Sequence, residues 1–366
     1  MIKKTIANLM ILSLLLLSAC SNSNVTAEDI RNLHQSQIAA SNEAIEQQKA
    51  REEYEKAQEE AQEAAAEIEN SKRAEEEARK IEEAKEAAKA SYLEVTFLDV
   101  GQGDSTLIAC DDHYMLIDAG VYEAGEVVTS YLERHGINSL DIVVATHPDA
   151  DHIGGLGQVL KALDIGIVFQ SPQGGKTPTY EYFTNVIAEQ GLTATSPAVN
   201  SSYALGSATI TVLGPLYTYE ELNNDSIVLR LDYQGVSFLF LADAEIEEET
   251  DIVNAGLDID IDVLKVGHHG SKNSTSPYII SATTPTYAVI SCGENNDYGH
   301  PHEETLISLR QANVETYRTD EDGTIICSVD SEGSITWNVP PSTTWLSGSE
   351  SAQNASTSQE PSTQEE

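Results

Sequence analysis

Hydrophobic and polar positions divide the 366-residue chain into four stretches of different character. Residues 1–20 carry Lys3 and Lys4 and then an apolar run from Ile6 to Leu17. Residues 21–91 are dominated by Glu, Ala, Lys, Arg and Gln, with no Pro or Gly between 29 and 90. These are strong helix formers. Glu52–Lys56, Glu75–Arg79 and Glu76–Lys80 stand at the spacing at which opposite charges meet on a helix surface. The stretch predicts a long solvated helix, a stalk of about 90 Å at 1.5 Å per residue. Ala57, Ala61, Ala64 and Ile68 follow a coiled-coil-like spacing before the pattern fades. An alanine-rich coiled coil, through which copies of the chain would self-associate, is therefore the alternative.

From 92 to 338 the pattern changes to short apolar runs joined by turn residues. Leu93–Val100, Ser105–Ala109, Tyr114–Asp118 and Leu140–Ala145 read as strands, and helix-like stretches fall near 124–135 and 154–163. Further strands are predicted at 208–213, 226–232, 235–241, 261–266, 286–291 and 323–328, with a hairpin turn at Tyr233-Gln234-Gly235. Strands with helices interleaved predict an α/β domain of sheets covered by helices. The last stretch, 339–366, is Ser, Thr, Gln and Glu with little apolar content, and it predicts a disordered acidic tail.

Composition adds three constraints. The positive start and apolar run of residues 1–20 have the form of a signal peptide, and Leu17-Ser18-Ala19-Cys20 resembles a bacterial lipobox. Cys20 is then the lipidation site, and the mature chain sits on the extracytoplasmic face of the cell membrane, held by a lipid anchor. Apart from Cys20 only Cys110, Cys292 and Cys327 remain, which is neither a disulfide framework nor a Cys-based metal site; they read as core cysteines on strands. The net charge is -40, and residues 92–338 alone hold 8 basic and 38 acidic side chains.

The chemistry concentrates in Thr146-His147-Pro148-Asp149-Ala150-Asp151-His152-Ile153-Gly154-Gly155. His147, Asp149, Asp151 and His152 place four potential ligands within six residues, directly after a buried strand. Imidazole nitrogen and carboxylate oxygen together suit zinc, with manganese or iron also accommodated. Gly154-Gly155 lets the backbone pass close by and begin a helix. Asp243, the pair His268-His269, and His300 each follow an apolar strand run, as a site at one edge of a sheet sandwich requires. Gly101-Gln102-Gly103-Asp104 lacks the remainder of any nucleotide-binding motif.

Phe97 to Asp104, Leu116 to Gly120, Thr146 to Gly155, Leu241-Ala242-Asp243 and Lys265 to Ser271 resemble the metallo-β-lactamase-fold domain of ComEC-type DNA-uptake proteins. The resemblance covers roughly residues 92–338 and not the large membrane channel that accompanies this domain in ComEC. It implies a metallo-β-lactamase αββα sandwich with a binuclear metal site holding two divalent ions, zinc or else manganese. Asp149 stands where the family's usual hydrolases have a second His, as in ComEC-like members. By the resemblance, His147 and Asp149 would hold one metal and Asp151 and His152 the other, with Asp243 bridging. His269 would complete the first site and His300 the second. His268 would exchange roles with His269 or face the substrate, which gives Asp151, Asp243 and His268 as the catalytic set. Asn224, His268, Ser271 and Lys272 are candidates for holding phosphate oxygens, and Asp118 and Thr146 for orienting ligating histidines.

The implied activity is a metal-dependent phosphodiesterase or nuclease on extracellular DNA. The charge argues for a different substrate, because nucleic-acid affinity comes largely from basic residues. A small or cell-wall phosphoester is therefore the alternative, as in surface phosphorylcholine esterases with a similar site. A metal-stabilised binding module is the non-catalytic alternative.

Overall fold

The computed structural model describes residues 27–88 and 91–351. The expected signal segment 1–20 and the lipidation site Cys20 lie outside the described residues.

Helix α1 runs unbroken from Ala27 to Ala88. Its sequence contains neither of the two residues that break helices, and side chains four apart pair along it. Examples are Arg51 with Glu55 at 2.9 Å and Arg73 with Glu69 at 3.0 Å. Such exposed pairs contribute only about 0.3–0.5 kcal/mol each. The apolar residues of α1 do not gather on one face, and Ile38, Ile45 and Tyr54 are exposed.

The domain that follows holds two sheets. The first has eight strands in the order β15-β14-β1-β2-β3-β4-β5-β6, and the second seven, β13-β12-β11-β10-β9-β8-β7. In the first sheet β1 is Ser91–Phe97, β2 Thr106–Cys110, β3 His113–Ile117, β4 Ser139–Ala145, β5 Asp164–Gln170, β6 Ala194–Thr195, β14 Ile325–Asp330 and β15 Ile335–Trp337. In the second, β7 is Ser202–Leu205, β8 Ala208–Val212, β9 Leu229–Tyr233, β10 Val236–Phe240, β11 Val263–Lys265, β12 Tyr287–Ile290 and β13 Glu315–Arg318.

Alternation along the strands builds three apolar layers. Leu93, Val95, Phe97, Ile142 and Val144 of the first sheet meet Leu229, Phe238, Phe240 and Val263 of the second. The intervening residues Val143 and Ala145 point the other way. They pack under helices α2 (Ala124–Arg134), α4 (Leu156–Ala162) and α5 (Pro178–Glu189) through Val128, Leu132, Val159 and Phe183. On the far side Leu239, Leu264, Ala288 and Ile290 pack against α6 (Ile246–Asn254), α7 (Pro277–Thr283) and α8 (Glu303–Gln311). Burying each such side chain contributes roughly 1.5–3 kcal/mol. The order of layers is helix, sheet, sheet, helix. Cys110, Cys292 and Cys327 are buried free thiols within this framework.

Several elements were not legible in the pattern. β5 carries Gly166 and an exposed Ile167 within its apolar run, and β13 is polar because its buried Arg318 pairs with Asp320 at 2.6 Å and with Glu321 at 3.0 Å. The tail expected to be disordered from 339 is ordered to 351. Ser342 N donates to Thr316 O along β13, Arg318 Nη1 donates to Leu346 O at 2.6 Å, and Gly348 N donates to Pro301 O. Trp345 packs on the outer apolar layer of the second sheet, beneath the Arg310 guanidinium. One aromatic residue and satisfied backbone groups fix a segment whose composition is almost wholly polar.

Candidate metal centre

The loop after β4 is held from below by Asp118, which follows β3 with a left-handed φ of 57°. Its buried carboxylate accepts from Thr146 N at 3.0 Å, from Thr146 Oγ1 at 2.6 Å and from His152 Nδ1 at 2.8 Å. Asp118 and Thr146 therefore stand where orienting residues were expected. The ligand loop itself is a helical turn, α3 (Ala150–Ile153), with Asp149 at its N-terminal end. Gly155 packs so tightly beneath it that a Cβ would collide with the Ala119 carbonyl, which is the close approach the Gly154-Gly155 pair predicts.

Asp243, just past β10, divides the site. Its Oδ1 lies 3.1 Å from His152 Nε2 and 3.7 Å from His269 Nε2, and His269 Nε2 is 3.2 Å from Asp151 Oδ2. Its Oδ2 lies 3.8 Å from His147 Nε2 and 3.6 Å from His268 Nε2, and His147 Nε2 is 3.8 Å from Asp149 Oδ2. One group is thus Asp151, His152 and His269, the other His147, Asp149 and His268, with one Asp243 oxygen facing each.

The late histidines group as in the exchange of His268 and His269 that was the alternative, and not as in the first expected pairing. His269 joins Asp151 and His152 rather than His147 and Asp149, and His268 takes the place expected for His269. Both adopt left-handed backbone, φ 47° and 54°, so the chain reverses at this point and the two rings diverge. Non-glycine residues there are strained by on the order of 1–2 kcal/mol each. His268 N donating to Ala242 O and His269 Nδ1 near Ser291 O, at 3.0 Å, hold them in place. His300 is buried but stands outside both groups. Its Nδ1 is 3.4 Å from the Gln102 amide, and its ring centroid is 6.1 Å from that of His269.

Among the described residues, one set of ligand-type side chains brings an atom each within 4.8 Å of one another: Asp104, His152, Asp243 and His269. Sequence reasoning misses Asp104 as a member of the site, because its turn carries no ligand spacing and it joins the centre only through the distant Lys265 and His269. It ends a turn that ties the site together, its N donating to Asp151 O. Its carboxylate is held by the buried Lys265 at 2.8 Å and faces His269 Nδ1 at 3.2 Å. Glu245, 3.3 Å from His268 Nδ1, was also missed. A carboxylate behind each of three histidines, Asp118, Asp104 and Glu245, is the arrangement that fixes ring orientation at metal sites.

The proposed phosphate contacts fare differently. Asn224 is buried and turned away, its Oδ1 accepting from Glu245 N and Glu248 N at the start of α6. The neighbouring Asn223 instead reaches His268, at 3.5 Å. Ser271 is buried and accepts from Asn273 N within its own turn, and Lys272 is exposed beside His302. His268, with about a fifth of its side chain exposed, lies at the mouth.

The donor set fits divalent cations. His152 Nδ1 and His269 Nδ1 each face an acceptor, which turns both Nε2 atoms toward the site, 3.3 Å apart. His147 Nε2 and Asp243 Oδ1 are buried without an aligned hydrogen-bond partner. Buried carboxylates and imidazole lone pairs facing one point are stable only around positive charge. Protonation of the histidines is the alternative source of it. Burial opposes charging His269, but Asp243 and Asp104 outweigh it and push its pKa up to about 10. His152 is likewise raised by Asp243 and Asp118 against its burial. Burial and the neighbouring His152 hold His147 down to about 3.

Two sheets flanked by helices, with a buried His/Asp centre, define a metallo-β-lactamase-fold metal hydrolase domain. The chain belongs to that family, since the profile of the metallo-beta-lactamase superfamily matches residues 98–294, more than half of the chain. Its relatives are competence proteins. It is 33% identical over 251 residues to ComE operon protein 3 of Bacillus subtilis (strain 168), covering 63% of this chain and 32% of that protein. It is 31% identical over 243 residues to competence protein ComA of Neisseria gonorrhoeae, covering 66% and 33%. The chain spans about a third of the length of these relatives. A solved structure with a similar fold is the metallo-beta-lactamase fold protein YhfI of Bacillus subtilis, with a TM-score of 0.45 and 13% identity, covering 67% of this chain and 99% of that one. No helix of the described residues is long and apolar enough to cross a membrane.

Proposed function

We propose that the chain is a binuclear-metal phosphodiesterase, tethered outside the cell through Cys20, that cuts extracellular DNA. The observation that carries this reading is Asp243, whose two oxygens face two separate His/Asp groups. His147, Asp149, Asp243 and His268 would hold one divalent ion, and Asp151, His152, Asp243 and His269 the other. When bound, the pair supplies Lewis acidity and a water acidic enough to attack at neutral pH. The chain's own part is to aim its ligands. Asp118 and Asp104 aim His152 and His269. Glu245 aims His268 in the same way, at the solvent-reached mouth where the substrate enters. The competence proteins among the relatives support DNA as the substrate.

A second reading rests on charge. The 8 basic and 38 acidic residues of 92–338 repel a polyanion at long range. This favours a small diester or a cell-wall phosphoester. The test uses the full chain loaded with zinc or manganese, assayed on bis-p-nitrophenyl phosphate and on single- and double-stranded DNA. Cleavage of DNA that disappears in Asp151→Ala supports the first reading. Turnover of the small diester with DNA intact transfers the assignment to the second. Silence on all substrates with metal bound refutes both.

A further inference from the structure

A run of rings leads from the metal centre to solvent. The His269 and His300 rings lie 6.1 Å apart at 30°, and the His300 and Tyr298 rings 5.6 Å apart at 21°. Tyr298 ends the run with about two thirds of its surface exposed. The turn that carries it is braced. Asn296 Oδ1 accepts from Tyr298 N at 3.2 Å and His300 N at 2.9 Å, and its Nδ2 donates to Gly293 O and His300 O. Gln102 holds the inner end, accepting from Gly293 N and contacting His300 Nδ1. An exposed aromatic ring on a fixed backbone binds a planar partner with little ordering to be done on binding.

The surroundings define that partner. Glu294 and Asp297 are exposed in the same turn, so the turn itself offers a nucleic acid no charge attraction. Base stacking on aromatic rings is indifferent to sequence and contributes roughly 1–3 kcal/mol per base. It requires a base already out of its stack, which a single strand supplies and a duplex does not.

We propose that Tyr298 is the stacking platform for an unpaired nucleobase next to the metal centre, which makes single-stranded nucleic acid the favoured substrate of the site. The inference deepens the phosphodiesterase reading and rests on it. Part of the affinity then comes from a ring, which offsets some of the repulsion by the acidic surface.

The test compares a ten-residue oligothymidylate with an abasic oligomer of the same length, on the metal-loaded full chain. Tyr298→Ala is expected to raise KM for oligothymidylate about 5- to 150-fold. KM for the abasic strand and kcat on both strands stay unchanged. Tyr298→Phe and Tyr298→Trp keep the wild-type KM. The Tyr298→Trp variant also reads stacking without turnover: oligothymidylate quenches its added fluorescence and the abasic strand does not. Equal losses on both strands, an unchanged KM in Tyr298→Ala, or an unquenched tryptophan overturns the platform. Quenching with neither strand cut leaves the platform standing and refutes the phosphodiesterase, whereas cutting that is indifferent to Tyr298 does the reverse.

Discussion

Asp118 offers the sharpest test of how the centre is built, because it touches no substrate and is wholly buried. It accepts three hydrogen bonds, two of them from the residue that opens the ligand loop and one from His152 Nδ1. Asp118→Asn preserves shape and one acceptor oxygen but puts an N–H₂ group where Thr146 Oγ1 and His152 Nδ1 now donate. Hydrogen bonds to a charged acceptor contribute about 1.5–3 kcal/mol each. Losing the one to His152 frees the ring to turn and to carry its proton on Nε2, the atom that must be bare to bind metal. Outer partners of this kind typically change metal affinity by about 10–100-fold, or roughly 1.4–2.7 kcal/mol. Competition titration against a chelator reads the affinity, and thermal denaturation in excess chelator reads the fold separately. The expected outcome is a weakened metal complex, beyond whatever stability is lost in chelator. Wild-type affinity in Asp118→Asn would falsify the claim that this carboxylate orients His152.

Three further outcomes follow from buried charges and the tail. Lys265→Met strands the Asp104 carboxylate in the interior and should lower stability by about 3–5 kcal/mol, with Asp104→Asn added in the double variant recovering part of it; urea denaturation decides, and a loss under about 1 kcal/mol contradicts the buried pair. Glu248 is fully buried with both oxygens unpartnered, and its pKa is raised by burial, then by Asp225, Glu249 and Asp251. The folded state therefore keeps a proton that the unfolded chain releases, so this group's contribution to stability declines as pH rises above the ordinary glutamate range; Glu248→Gln should flatten that decline, and an unchanged stability–pH curve would count against it. Truncation after residue 338 removes the Leu346 and Ser342 partners of β13 and the Trp345 packing, and should lower the melting temperature measurably, whereas a disordered tail would leave it unchanged.

The His-x-Asp-x-Asp-His loop was readable because all its ligands are local: one strand end and one helical turn aim them, and no distant residue is needed to see the cluster. The unbroken apolar runs Ile142–Ala145 and Phe238–Leu241 likewise declare strands buried on both faces. Long-range partners carry no such mark. Asp104 and Lys265 are 161 positions apart, and nothing about either in isolation announces a buried ion pair. Asn223 and Asn224 are adjacent and chemically identical, yet one reaches His268 and the other caps α6, because a single residue of turn decides which way each points.

The sequence by itself determined the helix-forming composition of residues 27–88, the α/β character of the domain, the cluster that opens the centre and the strand ends that supply its later members. These follow from periodicity and local chemistry, which act over a few residues. Only the tertiary structure decided which histidine serves which group, that His300 stands outside both, and that a polar tail is pinned to β13. Each of these depends on a backbone reversal at His268-His269 or on contacts between remote strands. There the favourable energy comes from burial and from satisfying polar groups across the fold, and local preference is overruled.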